Sequence, residues 1–230
     1  MRIQRLNVYD VNMSDPDAHD VQTPQEASER AYHHGNLKAA LIEAGLAALS
    51  EVEPDALSLR QLAKTVGVSP NAAYRHFADK RDLLDAMAAE CFRRFAASQH
   101  KAVQGLDDPV KRLEASGLAY VDFARTHPAM HRLMFQQLAC KATTASTDLV
   151  AQSLGAMSVL LEAASALLQA PPQDERVRVL AAACWSLVHG LSNLAMTGQL
   201  DVFDMDVAEL IRRVVAMSAT LQGQATVASP

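Results

Sequence analysis

Gly67 stands between two short segments that each carry a helix start signal, and no other feature constrains the fold of this chain as strongly. From Ser58 to Val66, Leu59, Leu62, Ala63 and Val66 recur at helical spacing and predict one apolar stripe. Ser58 stands where a hydroxyl can accept from an unpaired amide of the first turn. Arg60, Gln61 and Lys64 fall off the stripe and face solvent or phosphate. Gly67 takes the turn, because a left-handed backbone is free of steric cost only for glycine, and Val68 fills the angle. Ser69 caps the second helix, with Pro70 at its first position, where the missing N–H had no partner anyway. Of the small pair Ala72 and Ala73, one lets the helices approach and the other leaves the backbone open. Phe77 returns to the core. The pattern is a helix-turn-helix over 58–77, whose second helix carries Asn71, Tyr74, Arg75 and His76, with Lys80 and Arg81 beyond.

A helical hairpin with a solvated basic face would show some of the same residues. Charge separates the two readings. Ser58–Arg81 holds five Lys or Arg and one acid, net +4, on a chain of net −5, so the remainder carries −9. A basic island on an acidic chain is the electrostatic footprint of a phosphate backbone. Tyr74, Arg75 and His76 can all donate to phosphate oxygens, and Asn71 has the side chain that pairs with an adenine edge in the major groove.

The run Gly-Val-Ser-Pro-Asn-Ala-Ala-Tyr-Arg-His-Phe-Ala-Asp-Lys-Arg-Asp-Leu-Leu (67–84) resembles the DNA-binding domain of the tetracycline-repressor-like (TetR) family. Tyr32-His33-His34-Gly35-Asn36-Leu37 is similar to the lead-in to that family's first helix. Tyr120-Val121-Asp122-Phe123-Ala124, His127-Pro128, Arg132-Leu133-Met134-Phe135 and Trp185-Ser186-Leu187-Val188-His189-Gly190-Leu191 resemble the ligand domain of a subgroup named for its Trp-His-Gly motif. The resemblance implies an all-α homodimer: a three-helix DNA-binding domain followed by a helical domain that binds an effector and dimerises. It implies a repressor that leaves a palindromic operator when a small molecule binds. By position it assigns phosphate contacts to Ser58, Ser69, Tyr74, His76 and Lys80, and places Asn71, Ala72 and Arg75 nearest the base edges. Two departures stand out. Pro70 occupies a position where many members carry a basic residue, so Arg60 or Lys64 would have to compensate, and Asn71-Ala72-Ala73 replaces a run that often begins with glycine.

Residues 1–29 set Arg2 and Arg5 against Asp10, Asp15, Asp17, Asp20, Glu26 and Glu29 without helical periodicity, which predicts a disordered acidic tail; Met13 is a second candidate start. Residues 30–98 form the DNA-binding domain with its connecting helix, which begins after Asp79 and buries Leu83, Leu84, Met87, Cys91, Phe92 and Phe95. Residues 106–222 form the helical effector and dimerisation domain, and 223–230 a loose tail. Inside the second domain helices are expected over 109–126, 129–138, 148–168, 174–197 and 207–221, with a loop over 141–147. Hydrophobic residues make up 50% of the chain and aromatics only 5%, which favours helices packed through small side chains.

The last two helices are apolar over a wide arc: Val177, Leu180, Ala181, Cys184, Leu187, Val188 and Leu191 on one, Leu210, Ile211, Val214, Val215 and Leu221 on the other. Such helices must be covered on more than one side, by a monomer core or by a second copy, and a repressor that spans two half-sites requires the copy. Trp185 and His189 share a helix face. With Phe123, His127, Met130, Met134 and Met157 they are the pocket candidates, although each suits plain packing equally.

No cofactor or resident metal is expected: His127 and His131 have ligand spacing, but Pro128 disturbs the helix between them. Cys91, Cys140 and Cys184 are scattered and read as reduced thiols of a cytoplasmic protein. No uninterrupted apolar run approaches the roughly eighteen residues of a membrane helix. Two other classes stay open. An enzyme would be expected to carry a phosphate loop, a nucleophile elbow or a zinc-protease motif, none of which is present. A helical protein-interaction scaffold leaves the basic island unexplained.

Overall fold

The computed structural model describes residues 37–139, 145–200, 202, 204 and 206–214, and every regular element among them is helical. These are α1 (residues 37–48), α2 (Leu59–Val66), α3 (Pro70–Tyr74), α4 (Lys80–Val103), α5 (Pro109–Thr126), α6 (Pro128–Ala139), α7 (Thr147–Leu168), α8 (Glu175–Met196) and α9 (207–214). Leu37 apart, the described residues belong to one compact unit. The acidic tail, the Tyr32–Asn36 lead-in, Cys140, residues 141–144, Val215, Leu221 and the 223–230 tail lie outside the described residues.

Helix starts follow the capping residues. Ser69 Oγ accepts from the Ala72 amide at 3.3 Å, Asp79 from Asp82 at 2.9 Å, Asp108 from Val110 at 2.9 Å, Ser146 from Leu149 at 3.2 Å and Asp174 from Arg176 at 2.9 Å. At α4 a second bond braces the cap, because Asp82 reaches back to accept from the amide of Ala78, the residue before the N-cap, at 3.0 Å. Gly67 ends α2 at φ 81°, ψ 26°, the left-handed geometry the turn requires. Ser58 departs from expectation. It occupies the N-cap position of α2, but its side chain makes no capping bond; its carbonyl instead accepts from Gln61 and Leu62, at 3.0 and 2.9 Å.

Helix α4 runs beyond residue 98, the expected end of the first domain, and packs against both halves. Near its start, α1 lies so close that a Cβ on Gly45 would sit 2.7 Å from Met87 Sδ. Arg94 pairs with Glu43 of α1 and with Glu90 one turn earlier at 2.7 Å; these are partly exposed pairs, worth about 0–1 kcal/mol each. Further along, Phe92, Phe95, Gln99 and Val103 are buried against the second half. Asp85, buried in α4, accepts from the Ser146 amide at the start of α7 at 3.3 Å.

The second half is built around α5, α7 and α8. Leu113 and Val121 of α5, Leu160, Ala163 and Ala164 of α7, and Val177, Leu180, Ala181 and Leu191 of α8 share one core with Ile211 of α9. Small residues set the spacing: a Cβ on Gly117 would lie 3.2 Å from Val188 and 3.3 Å from Ile211. Burial pushes the Cys91 thiol up to about 12 and raises that of Cys184, so neither is a ready thiolate.

Helices α7 and α8 are each long and apolar enough, by length and composition, to cross a bilayer, with mean hydropathy 1.4. Neither is an uninterrupted apolar run, since Gln, Ser, Gly and Glu punctuate α7 and Arg, Ser, His, Gly and Asn punctuate α8. Only 33% and 28% of those windows are buried, so much apolar surface stays outside the core. The stripe expected to face a second copy turns inward: Val177, Leu180, Ala181, Val188 and Leu191 are buried in the protomer and Cys184 and Leu187 pack half-buried on the same core, whereas the exposed apolar residues of α8, Val179 and Leu194, lie off that stripe.

Candidate nucleic-acid interface and ligand cavity

The helix-turn-helix presents two of its basic side chains, Arg60 and Lys64, on one open groove. Ser58, Arg60, Gln61, Lys64, Gly67, Val68 and Pro70 line a depression of about 750 Å³. Arg60 and Lys64 are exposed there, as the apolar stripe of α2 requires, since Leu59, Leu62 and Ala63 face the core. The Ser58 hydroxyl, unused for capping, lies on the same groove.

Helix α3 is only five residues long. Asn71 and Tyr74 are exposed on it, Tyr74 at 52%. Ala73 is fully buried and Ala72 half-buried, so Ala73 is the residue that lets α2 and α3 approach. Arg75 and His76 do not lie on the helix: Arg75 is its C-cap, and both occupy the turn that leads to Phe77 and the next cap, Asp79. Lys80 has a second task, since its ammonium donates to the Asp55 carbonyl at 2.6 Å and ties α4 to the loop before α2. Two further N–H groups of that ammonium remain available.

The pocket candidates fall in different places. Met157 and the partly exposed Trp185 line a partly open cavity of about 150 Å³, walled by Phe92, Phe95 and Gln99 of α4, Tyr120 of α5 and Phe135 of α6, with the exposed Leu154 of α7 also bordering it. Phe123 and His127 instead border an open groove of about 630 Å³ with Lys101 and Asp122. Met134 is fully buried and Met130 half-buried, and neither lines either space.

His189 stands behind the cavity wall. Its Nδ1 lies 2.8 Å from the Tyr120 hydroxyl, and His131 Nε2 lies 3.2 Å from the same oxygen. One phenolic proton serves two imidazoles, so Tyr120 donates to one ring and accepts from the other. Burial drives the His131 imidazole down to about 4, with the neighbouring His189 adding to the shift. Burial also lowers His189 and raises the Tyr120 phenol. All three are therefore neutral near pH 7. His127 and His131 do not converge, since His127 packs on Phe123 at 5.1 Å and His131 on Tyr120 at 5.7 Å.

Sequence reasoning missed Gln99, Tyr120 and Phe135 as cavity residues, and His131 as the partner of Tyr120. Gln99 had a readable signal: it follows Phe92 and Phe95 by seven and four positions on the apolar stripe of α4.

Comparison with known proteins covers the same two halves. The amino-terminal model of the bacterial regulatory proteins of the tetR family matches residues 41–87, and a tetracyclin repressor-like C-terminal domain matches residues 113–218. The HTH-type transcriptional regulator BetI of Yersinia pestis (strain Pestoides F) is 40% identical over 77 residues, 33% of this chain and 39% of BetI. The tetracycline repressor protein class A from transposon 1721 of Escherichia coli is 37% identical over 95 residues, 38% of this chain and 43% of the repressor. The chain thus spans about two fifths of the length of these curated relatives. A solved protein of unknown function from Rhodococcus sp. RHA1 is 30% identical, with a TM-score of 0.71 covering 82% of this chain and 96% of that one. With both family models matched in order along one all-helical chain, and a capped helix-turn-helix at its amino-terminal end, the protein belongs to the TetR family of bacterial regulatory proteins.

Proposed function

We propose that the protein is a cytoplasmic, homodimeric transcriptional repressor that binds a palindromic operator and releases it when a small molecule enters the second half. The observation that carries this reading is the groove of Ser58, Arg60 and Lys64 beside the exposed Asn71 and Tyr74, on the one basic island of an acidic chain. In this reading Ser58, Arg60, Lys64, Ser69, Tyr74, His76 and Lys80 hold phosphates, with Asn71, Ala72 and Arg75 nearest the bases. Arg60 and Lys64 supply the cationic contact that Pro70 lacks. The second half fits the Trp-His-Gly subgroup, with Trp185 placed to meet the effector at the cavity and His189 to hold Tyr120.

Helix α4 couples the two functions. The cavity is walled by Phe92, Phe95 and Gln99 on the same rigid helix that begins at the Asp79 cap below the recognition helix. A ligand that fits one tilt of α4 better than another shifts the spacing of the reading heads by its differential affinity. Dimerisation uses the uncharged outer face of α8, where Val179 is 61% exposed, together with α9. Beyond Arg178 the helix carries no Lys, Arg, Asp or Glu as far as Met196, which suits a face covered by a second copy. A gel shift on DNA flanking the protein's own gene tests the reading: a retarded band is expected, and its absence at low salt contradicts regulation by DNA binding.

A further inference from the structure

Gln99, which borders the 150 Å³ pocket, carries a buried polar atom that the protein leaves unsatisfied. Gln99 is 4% exposed, its Nε2 donates to Ser116 Oγ at 3.0 Å, and its Oε1 has no hydrogen-bond partner. Buried amide oxygens are rarely left so, because water gave them a bond that folding has removed. Turning the amide end for end does not cure the deficit: Ser116 then donates to the oxygen, and the amide N–H groups lack a partner.

The surroundings restrict what can supply the missing bond. Apart from the Tyr120 and Ser153 hydroxyls the rest of the wall is ring and hydrocarbon, chiefly Phe92, Phe95, Phe135, Trp185 and Leu160, and among the described residues no Lys, Arg, Asp, Glu or His lines the cavity. An ionised guest would be desolvated there without a counter-charge, which is strongly unfavourable. Volume sets the size, since an apolar cavity of about 150 Å³ accommodates one benzene ring. Five aromatic rings border the cavity, Phe92, Phe95, Tyr120, Phe135 and Trp185, and ring–ring contact favours a flat aromatic guest over a branched aliphatic one.

We infer that this cavity takes an uncharged, single-ring aromatic molecule bearing a hydroxyl, a simple phenol or benzylic alcohol, whose hydroxyl pairs with the Gln99 amide. A hydroxyl both donates and accepts, so it matches that amide in either orientation. The inference deepens the effector reading above and rests on it for the regulatory consequence, though not for binding itself.

Trp185 is the only tryptophan in the chain and lines the cavity, so its emission reports occupancy without a label. The full chain is titrated at pH 7 with phenol, toluene and benzoate. Phenol is expected to give a saturable change, toluene to bind about tenfold more weakly for want of the hydroxyl, and benzoate to give none over the same range. Gln99→Leu should weaken phenol about tenfold while leaving toluene at least as tight, and retained toluene binding shows that the variant is folded. Should Gln99→Leu fail to fold by circular dichroism, Gln99→Met, closer in shape, carries the same expectation. Toluene as tight as phenol, benzoate tighter than phenol, no saturable change with phenol, or phenol affinity indifferent to the Gln99 substitution would each overturn the inference. A gel shift of the same protein without any probe is read separately. Its failure contradicts the DNA-binding function and leaves the probe affinities unaffected.

Discussion

The hydroxyl of Tyr120 on α5 lies 2.8 Å from Nδ1 of His189 on α8, across 69 positions of sequence. The same oxygen is 3.2 Å from His131 on α6. One buried phenol therefore pins three helices behind the cavity, and α4 rests on it through Phe95, whose ring meets that of Tyr120 edge-on at 5.1 Å.

Replacing that hydroxyl tests its structural weight. Tyr120→Phe keeps the ring and strands one nitrogen of the buried His131 and one of the half-buried His189, at a cost of about 1–3 kcal/mol. The urea midpoint should fall with the slope of the transition unchanged. A midpoint equal to wild type would mean that water replaces the phenol.

Protonation should act through the same cluster. The folded protein holds His131 near 4 and His189 below its ordinary value, whereas the unfolded imidazoles titrate near 6.5. Below 6.5 the unfolded chain therefore binds more protons than the folded one. The stabilisation is complete above that pH and is lost as pH falls toward 4, roughly 3 kcal/mol of it from His131. Melting temperatures should decline through that window. His131→Gln should flatten the decline, and a slope unaffected by the substitution would assign the acid sensitivity to other groups.

Phosphate and base contacts should separate by their salt and sequence signatures. Tyr74→Phe and Lys64→Ala are expected to weaken DNA binding about equally on all sequences, and Lys64→Ala to reduce the salt slope by about 1. Asn71→Ala should relax preference at one base-pair position, at about 1–3 kcal/mol of discrimination. Lys80→Ala should also lower stability, because its ammonium holds the Asp55 carbonyl. Uniform loss from Asn71→Ala would move Asn71 to the phosphates.

Val179, 61% exposed on α8, offers a clean test of the dimer face. Val179→Lys costs the monomer little, since the side chain already meets solvent. Sedimentation should show a shift from dimer toward monomer, with operator binding reduced in parallel. A dimer that tolerates the lysine would place the interface elsewhere.

The local devices of the fold were legible in the sequence. Gly67, Ser69, Asp79 and Asp174 mark helix ends because a cap or a left-handed turn depends on a few neighbouring residues. Ser58 was harder, since the residue type gives the cap position but not whether the hydroxyl turns toward the helix. Arg75 and His76 fell beyond α3 because a five-residue helix has no periodicity to extrapolate. On α8 the periodicity revealed apolar residues all round without saying which arc meets the protomer's own core: Val188 turned inward and Val179 outward. The cavity was least legible. Phe123 and Trp185 look alike as candidates, and which of them meets the cavity depends on how α4, α5, α6 and α7 cross, a long-range outcome that spacing along one helix does not encode.

Footprinting of the full chain on DNA selected from random sequence tests the central claim most directly. The account predicts protection of a pseudo-palindrome with half-site centres about 34–36 Å apart, or a multiple of that repeat, lost in Asn71→Ala at one position of each half-site. Protection without sequence preference, or of a single unpaired half-site, would contradict a dimer that reads DNA through the helix-turn-helix at Gly67.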